Sequence, residues 1–434
     1  MPLRGEFTPP GDKSISHRIV LASILAEGEV SVFGLCDCDD VKSSLSVFKT
    51  LGGEVRGGGR NVTLKGLDGR LAVKPDEVVD LDCGNSGTTF RLLSGILAGR
   101  PGRFLLDGDR QLRRRPMERL ADPLRQMGAQ VETSDGHAPV KIRGGSLHGI
   151  EYVNNDGSAQ LKSAVILATM SACGSSKIIE PIPTRDHTER LLSLMGAKLT
   201  VSGDQMEVFP GPLTLPAELY VPGDPSSAAY FLIGAAMIPD SSVTARDILL
   251  SNERIGFLKV LDRMGASISI SMDQEKPEPK GQVRVDYSGP LQAVEISREE
   301  VPSLIDEIPM LALAAAKAKG VTVFRQVREL RLKETDRLTA IKHQLGAMGV
   351  RVKVENDDLI IEGPTKVILP ESLDSGHDHR LAMMLRMAAV ATEANIPILG
   401  EESIAISYPD FMADLDLLSG KKSAEPKEGE AAKS

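Results

Sequence analysis

Two periodicities alternate along the chain. Strings such as V-R-V-K-V (350–354) and S-I-S-I-S (267–271) repeat apolar positions every second residue, the pattern of a half-buried strand. Between such strings lie segments rich in Ala, Leu and Ser that predict helices. Six of them open on a small or acidic residue suited to a helix cap. They are G-D-K-S-I-S-H-R-I-V-L-A from Gly11, C-G-N-S-G-T-T-F-R-L-L-S from Cys83, D-G-S-A-Q-L-K-S-A-V-I-L from Asp156, P-G-D-P-S-S-A-A-Y-F-L-I from Pro222, D-E-I-P-M-L-A-L-A-A-A from Asp306 and H-D-H-R-L-A-M-M-L from His377. With Ser14, Ser86, Ser158, Ser226, Asp306 and Asp378 as markers, the steps are 72, 72, 68, 80 and 72 residues. A spacing this regular predicts six repeated units that fill the chain.

Each unit also carries a second helix. Five of these close on a Gly turn followed by an alternating strand: L-G-G-E-V at Leu51, M-G-A-Q-V at Met127, M-G-A-K-L at Met195, M-G-A-S-I at Met264 and M-G-V-R-V at Met348. Gly past the last helical turn takes the left-handed conformation that ends a helix. The sixth second helix, expected over 408–418, ends the fold, and the polar residues 421–434 read as a disordered tail. The units are longer than the strand–helix steps of an eight-step barrel. Six α/β units, three in each of two similar domains, are the expected architecture.

Composition narrows the function. Of 434 residues, 41% are hydrophobic and 26% charged, as in a soluble globular protein. Aromatic residues make up 3%, with no Trp, which argues against a base-stacking single-strand binder. A net charge of −9 argues against a nucleic-acid surface. The apolar run 228–238 is too short to span a membrane, and the opening M-P-L-R-G-E-F has no signal-peptide core. Cys36, Cys38, Cys83 and Cys173 are too scattered for a disulfide framework or a zinc site. A cytoplasmic protein with free thiols, no metal and no membrane or nucleic-acid partner is expected.

The helix starts carry the candidate chemistry. A helix N-terminus favours anions, and Ser, Asp and Asn there are accounted for by capping. Capping does not account for cations. Lys13 and Arg18 lie in the first segment, Arg91 in the second, Lys162 in the third and Arg380 in the sixth. A basic residue opposes the macrodipole at that end, so its recurrence implies a bound anion. Two further basic clusters are R-Q-L-R-R-R-P (110–116) and R-L-K-E-T-D-R-L (331–338). In the latter, Lys333 and Arg337 are expected to share a helical face, with Glu334 beside them; alone, such a string would be a solvated charged face. G-D-K-S lacks the spacing of a phosphate loop. No G-x-G-x-x-G follows a strand and no G-x-S-x-G elbow occurs, and H-x-H at His377 and His379 has no completing ligands.

Together, G-D-K-S-I-S-H-R, G-N-S-G-T-T-F-R, R-R-P-M, D-G-S-A-Q-L-K-S-A, D-E-I-P, R-L-K-E-T-D-R-L, D-H-R-L-A-M and Y-P-D-F resemble the 5-enolpyruvylshikimate-3-phosphate (EPSP) synthase family, in order over residues 9–418. The resemblance implies two domains of three β-α-β-α-β-β units each, an inside-out α/β barrel arrangement, with the site in the cleft between them. The implied domains are 12–222 and 1–11 plus 223–420, with hinges near Gly11 and Gly223. It also implies the reaction: the enolpyruvyl group of phosphoenolpyruvate moves to the 5-hydroxyl of shikimate 3-phosphate, releasing phosphate through a tetrahedral intermediate, on the route to chorismate and aromatic amino acids. No cofactor is implied, and a monomer is expected.

By the same resemblance Lys13 bridges both substrates, and Ser14 and Arg18 bind the shikimate carboxylate. Gly87 and Arg115 bind phosphoenolpyruvate. Ser158 and Gln160, with Ala159 between them, lie at the shikimate phosphate, and Arg185 binds it as well. Asp306 is the expected base on the 5-hydroxyl, Lys333 assists there, and Glu334 is the expected acid toward the methylene carbon. Arg337 and Arg380 bind the carboxylate and phosphate of phosphoenolpyruvate. The chain departs from many members in having Ala159 where they have Ser, Ile406 where they have Lys, and Glu329 where they have Asn. The first two departures resemble the second, glyphosate-tolerant class of the family. Two other readings share these cations: an enolpyruvyl transferase acting on UDP-N-acetylglucosamine, and a non-catalytic anion-binding module. The first is disfavoured by the lack of Cys in 110–116. The second has no use for Asp306 and Glu334, which oppose anions.

Overall fold

The computed structural model describes residues 1–74, 77–155 and 157–420; the expected tail 421–434 lies outside them. The six first helices form as the caps predict: α1 (Lys13–Ala22), α3 (Gly87–Ala98), α5 (Ala159–Thr169), α7 (Pro225–Met237), α9 (Ile308–Lys317) and α11 (His379–Ala391). Between them lie the second helices α2 (Asp39–Thr50), α4 (Glu118–Gln126), α6 (His187–Leu194), α8 (Gly256–Arg263) and α10 (Arg337–Ala347), and α12 (Phe411–Leu418) closes the chain. Gly52, Gly128, Gly196, Gly265 and Gly349, just past α2, α4, α6, α8 and α10, have φ between 83° and 107°. That is the left-handed region, so the five Gly turns end their helices for the reason expected.

The caps shift three of the markers. Asp12, not Ser14, caps α1 by accepting from Ile15 N at 2.8 Å. Asp224, not Ser226, caps α7 by accepting from Ser226 N at 2.8 Å. Glu307, not Asp306, occupies the cap position of α9. Carboxylates two residues upstream take the exposed N–H groups first and leave Ser14 and Ser226 inside their helices.

Five units carry a four-stranded sheet with one plan: a parallel pair followed by two antiparallel strands. In order they are Glu218–Tyr220, Glu29–Phe33, Asn61–Lys65, Glu54–Gly58; Val78–Asp82, Gly102–Asp107, His137–Gly144, Gln130–Ser134; Glu151–Val153, Ser176–Ile179, Gln205–Val208, Leu199–Ser202; Arg4–Phe7, Ser242–Leu249, Lys280–Asp286, Ser267–Gln274; and Glu295–Ile296, Gly320–Phe324, Asp358–Gly363, Arg351–Glu355. The sixth unit departs from the six-fold expectation. Its described strands are one parallel pair, Leu373–Asp374 with Ile398–Leu399. A 3-10 turn (Glu401–Ile406) precedes its second helix, which begins at Phe411 and not at 408.

Two hydrophobic cores result. One draws on residues between Ile15 and Val221 plus Leu249. The other draws on Leu3, Phe7 and residues from Ala228 to Leu418. The chain reaches this division by lending a strand at each boundary: 4–7 pairs into the fourth sheet and 218–220 returns to the first. The apolar run 228–238 is α7, buried along its whole length as the central helix of the second core. Phe7, Tyr408 and Phe411 gather against Tyr230 and Phe231 of this helix, with Phe231 5.1 Å from both Phe7 and Phe411 between ring centroids. Such pairs stabilise by about 0.5–1.5 kcal/mol beyond burial. No helix among the described residues is long and apolar enough to cross a membrane.

Candidate active site

The caps and first turns of α1, α3 and α5 in one half and of α7, α9 and α11 in the other carry charged and polar residues. Contacts inside each half fix these turns together. Gln160 Nε2 on α5 donates to Thr88 Oγ1 on α3 at 2.9 Å, and Arg380 Nη1 on α11 donates to the Ser226 carbonyl on α7 at 3.2 Å. Ion pairs then join the two halves. Arg185 Nη2 donates to Asp306 Oδ2 at 2.7 Å, and Arg115 Nη2 lies 3.6 Å from Glu334 Oε1. Arg119 pairs with Glu329 between the halves at 3.0 Å.

Asp306 sits among three cations. Besides Arg185, Lys333 Nζ lies 3.4 Å and Arg337 Nη1 3.5 Å from its Oδ1. Burial pushes this carboxyl up, but Lys333, Arg185, Arg380 and Arg337 together outweigh burial and hold it well below the usual carboxylate range. Glu334 is held low in the same way, burial being outweighed by Arg337, Arg115, His379 and Lys13. Both are therefore ionised at neutral pH in this arrangement. Arg337 is 1% exposed and is fixed by Glu334 and by Asp378, which accepts from Arg337 Nε at 2.8 Å. Lys13 opens α1 and donates to Asp40 Oδ2 at 2.8 Å. Burial opposes its charge, but Asp40 and Cys38 lead the interactions that outweigh burial and raise its pKa.

The first turn of α3 is built around a missing side chain. A Cβ on Gly87 would stand 2.8 Å from both Arg115 Nη1 and Arg91 Nη1. Arg115 is further held by Asn85 Oδ1 at 2.6 Å, and Arg91 donates to Gln160 Oε1. Arg91 Nε and Nη2 are buried and have no partner among the described residues. On the opposite wall Arg18 donates to Thr188 Oγ1 at 2.7 Å, Ser163 Oγ at 3.0 Å and the Ser14 carbonyl at 2.9 Å; burial pushes it down to about 10, so it stays charged. Ser14 Oγ accepts from Arg185 at 3.5 Å. Ser158 caps α5, and the Ala159 carbonyl accepts from Ser163 Oγ at 2.6 Å.

Arg115, Arg185, Asp306, Lys333, Glu334 and Arg337 meet in ion pairs, Ser14 adjoins Arg185 and Arg18, and three expectations about the parts change. Lys333 and Arg337 do not share a helical face. Asp336 caps α10 by accepting from Thr339 N at 3.0 Å, so the helix starts only at Arg337 and Lys333 is extended. Lys162 is no anion ligand, because it is fully buried between Glu180 and Glu189, 2.7 Å from each. Of the four arginines in 110–116 only Arg115 is buried, while Arg113 pairs outward with Asp107. Sequence reasoning missed Asp40, Asp378 and Glu307, and named Arg91 without assigning it a place. Asp378 and Glu307 each adjoin a motif residue, and that adjacency was the available signal. Ile406 lies half-buried in the 3-10 turn before α12.

Repeated α/β units in two halves are the architecture of the enolpyruvyl transferase fold. An enolpyruvyl transferase from Streptomyces tendae, NikO, superposes with a TM-score of 0.77 over 96% of this chain and 95% of that one, at 19% identity. The EPSP synthase from Acinetobacter baumannii superposes with a TM-score of 0.82 over 96% of both chains, at 37% identity. The family model for EPSP synthase (3-phosphoshikimate 1-carboxyvinyltransferase) matches residues 1–415, and the chain belongs to that family. Proteins named 3-phosphoshikimate 1-carboxyvinyltransferase from Bacillus licheniformis and a Synechococcus strain are 40% and 43% identical to it. They match over 96% and 97% of this chain and 98% and 96% of their own.

Proposed function

We propose that this chain transfers the enolpyruvyl group of phosphoenolpyruvate to the 5-hydroxyl of shikimate 3-phosphate, with release of inorganic phosphate. The observation that carries the reading is the convergence of Lys13, Arg115, Arg185, Lys333, Arg337 and Arg380 from both halves around two ionised carboxylates, Asp306 and Glu334. Two phosphates and two carboxylates on the substrates match the cations, at roughly 1.5–3 kcal/mol per charge-assisted bond. Shikimate 3-phosphate takes Ser14, Arg18, Arg185 and the turn Ser158-Ala159-Gln160. Phosphoenolpyruvate takes Gly87, Arg115, Arg337 and Arg380, and Lys13 lies between them. The partly unbonded Arg91 adds donors to the phosphoenolpyruvate side.

Asp306 accepts the proton of the 5-hydroxyl, with Lys333 beside it. The oxygen bonds to C2 of phosphoenolpyruvate as the methylene carbon gains a proton and becomes methyl. The resulting tetrahedral ketal phosphate then loses phosphate by C–O cleavage and a methyl proton to a base, restoring the double bond. Ionised Glu334 suits that last step directly. It becomes a proton donor for the first step when anionic substrates offset Arg337 and Arg115, which raises its pKa. Atoms and electrons balance with the two substrates alone.

Domains 12–222 and 1–11 plus 223–420 close on the substrates, in a monomeric cytoplasmic enzyme. The paired carboxylates favour this over a passive anion module, and the absence of Cys from 110–116 favours it over UDP-N-acetylglucosamine as acceptor. Phosphate release from phosphoenolpyruvate with each acceptor in turn tests the reading. Release with shikimate 3-phosphate is expected; release only with UDP-N-acetylglucosamine, or with neither, rejects it.

A further inference from the structure

The chain passes between its two cores at residues 10–12 and 222–224, and these two passages are bonded to each other. Asp12 N donates to the Pro222 carbonyl at 2.7 Å and Asp224 N donates to the Pro10 carbonyl at 2.8 Å, with Gly11 and Gly223 forming an antiparallel bridge. Each passage then delivers a buried carboxylate. Asp12 caps α1 and Asp224 caps α7, the first helices of the two halves.

One side chain holds both. Arg254, 1% exposed, lies in the loop before α8. Its Nη1 donates to Asp12 Oδ2, and its Nη2 donates to Asp224 Oδ1 at 2.9 Å and Ser226 Oγ at 3.1 Å. The same Nη1 lies 3.4 Å from His187 Nε2 on α6. Burial, followed by Arg254, holds His187 well below its usual range. The neutral ring accepts at Nε2 and donates from Nδ1 to Glu278 Oε1 at 3.1 Å. The guanidinium fork thus joins both passages and the start of α6. Without it, two carboxylates would face each other in a water-excluded site, where like charges repel strongly.

The residues attached to these anchors are those of the candidate site. Lys13 follows Asp12, and its backbone N–H lies 3.5 Å from Asp224 Oδ2. Arg185, bonded to Asp306, is two residues before His187. Arg380 donates to the carbonyl of Ser226, whose hydroxyl receives Arg254. We propose that Arg254 is a positioning residue for the transfer reaction: by clasping Asp12 and Asp224 it sets how the two halves meet and aims Lys13, Arg185 and Arg380 at the substrates. This rests on the proposed activity. A displacement of about 1 Å in such groups lowers rates by roughly a hundred-fold.

Arg254→Lys separates positioning from charge, since an ammonium keeps the buried cation but cannot fork to both carboxylates. Asp12→Asn is the second variant: it keeps the capping oxygen for α1 and removes one ion pair. Steady-state kinetics, urea unfolding and small-angle scattering with and without shikimate 3-phosphate are measured on the full chain. Both variants are expected to fold, to lose roughly ten- to hundred-fold in kcat/KM with a raised KM for shikimate 3-phosphate, and to compact less than the wild type when it is added. A folded variant with wild-type kcat/KM and wild-type compaction overturns the proposal. Unfolding of both variants would assign the triad to stability alone and also overturn it. A wild-type chain that releases no phosphate rejects the activity instead, and scattering still reads the clasp.

Discussion

Gly87→Ala puts a methyl group where the structure leaves room for none. The new carbon would lie 2.8 Å from Arg115 Nη1 and from Arg91 Nη1, whereas ordinary contact starts at 3.4 Å. Each guanidinium, held by Gln160 or Asn85, must therefore retreat by about 0.6 Å. A retreat of that size weakens one or two charge-assisted bonds to the donor's anionic groups, each contributing roughly 1.5–3 kcal/mol, or about 10- to 150-fold in affinity. The backbone itself has no objection. Gly87 opens α3 and is absent from the positive-φ set, so Ala is neutral or stabilising by up to about 1 kcal/mol. The expected outcome is a KM for phosphoenolpyruvate raised roughly ten- to hundred-fold, a KM for shikimate 3-phosphate changed far less, and an unfolding midpoint at or above that of the wild type. Initial rates over a grid of both substrates, with urea unfolding of the same preparations, measure all three. An unchanged KM for phosphoenolpyruvate, or a rise confined to shikimate 3-phosphate, would refute the placement of Gly87 on the donor side.

Asp306→Asn and Glu334→Gln are each expected to lower kcat by roughly 10²–10⁴-fold with smaller changes in KM; wild-type turnover in either removes its role. Burial pushes the Glu278 carboxyl up to about 8. A carboxyl raised above its unfolded value loses its proton-linked stability as pH climbs from the unfolded pKa through about 8. Glu278→Gln should therefore flatten the fall in stability over that window, by on the order of a few kcal/mol at its upper end, and urea midpoints of both proteins from pH 5 to about pH 9 would expose the error if they fell in parallel. Because Ala159 and Ile406 resemble the tolerant class, glyphosate is expected to inhibit weakly; competitive inhibition with a constant well below the KM for phosphoenolpyruvate rejects that expectation.

The repeat was legible because its signals are local. Caps and Gly turns act within a few residues of where they stand, and five glycines adopt the left-handed turn that their strings predict. What escaped was set by distance along the chain. Arg254 meets Asp12 across 242 residues and Asp224 across 30, and its own string, S-N-E-R-I-G, carries no pattern that marks it. Lys162 reads like Lys13, a cation near a helix start. Only the fold places Glu180 and Glu189 around it. The α10 start was misplaced for a local reason: Asp336 competes with the upstream residues for the first free N–H groups and delays the helix to Arg337. The site residues themselves were readable through family motifs, and the cation excess at helix starts pointed to anions. Which cation pairs with which carboxylate depended on how the two halves meet.

The products formed in deuterated water test the chemistry most directly. Phosphoenolpyruvate and shikimate 3-phosphate are incubated with the enzyme and followed by proton and phosphorus NMR. Addition and elimination through a methyl intermediate predict an enol ether on the 5-oxygen, one inorganic phosphate per ether, retention of the 3-phosphate, and deuterium in the methylene group. Transfer of the phosphoryl group to the acceptor with formation of pyruvate, or an ether whose methylene carries no deuterium, would contradict the roles given to Asp306 and Glu334.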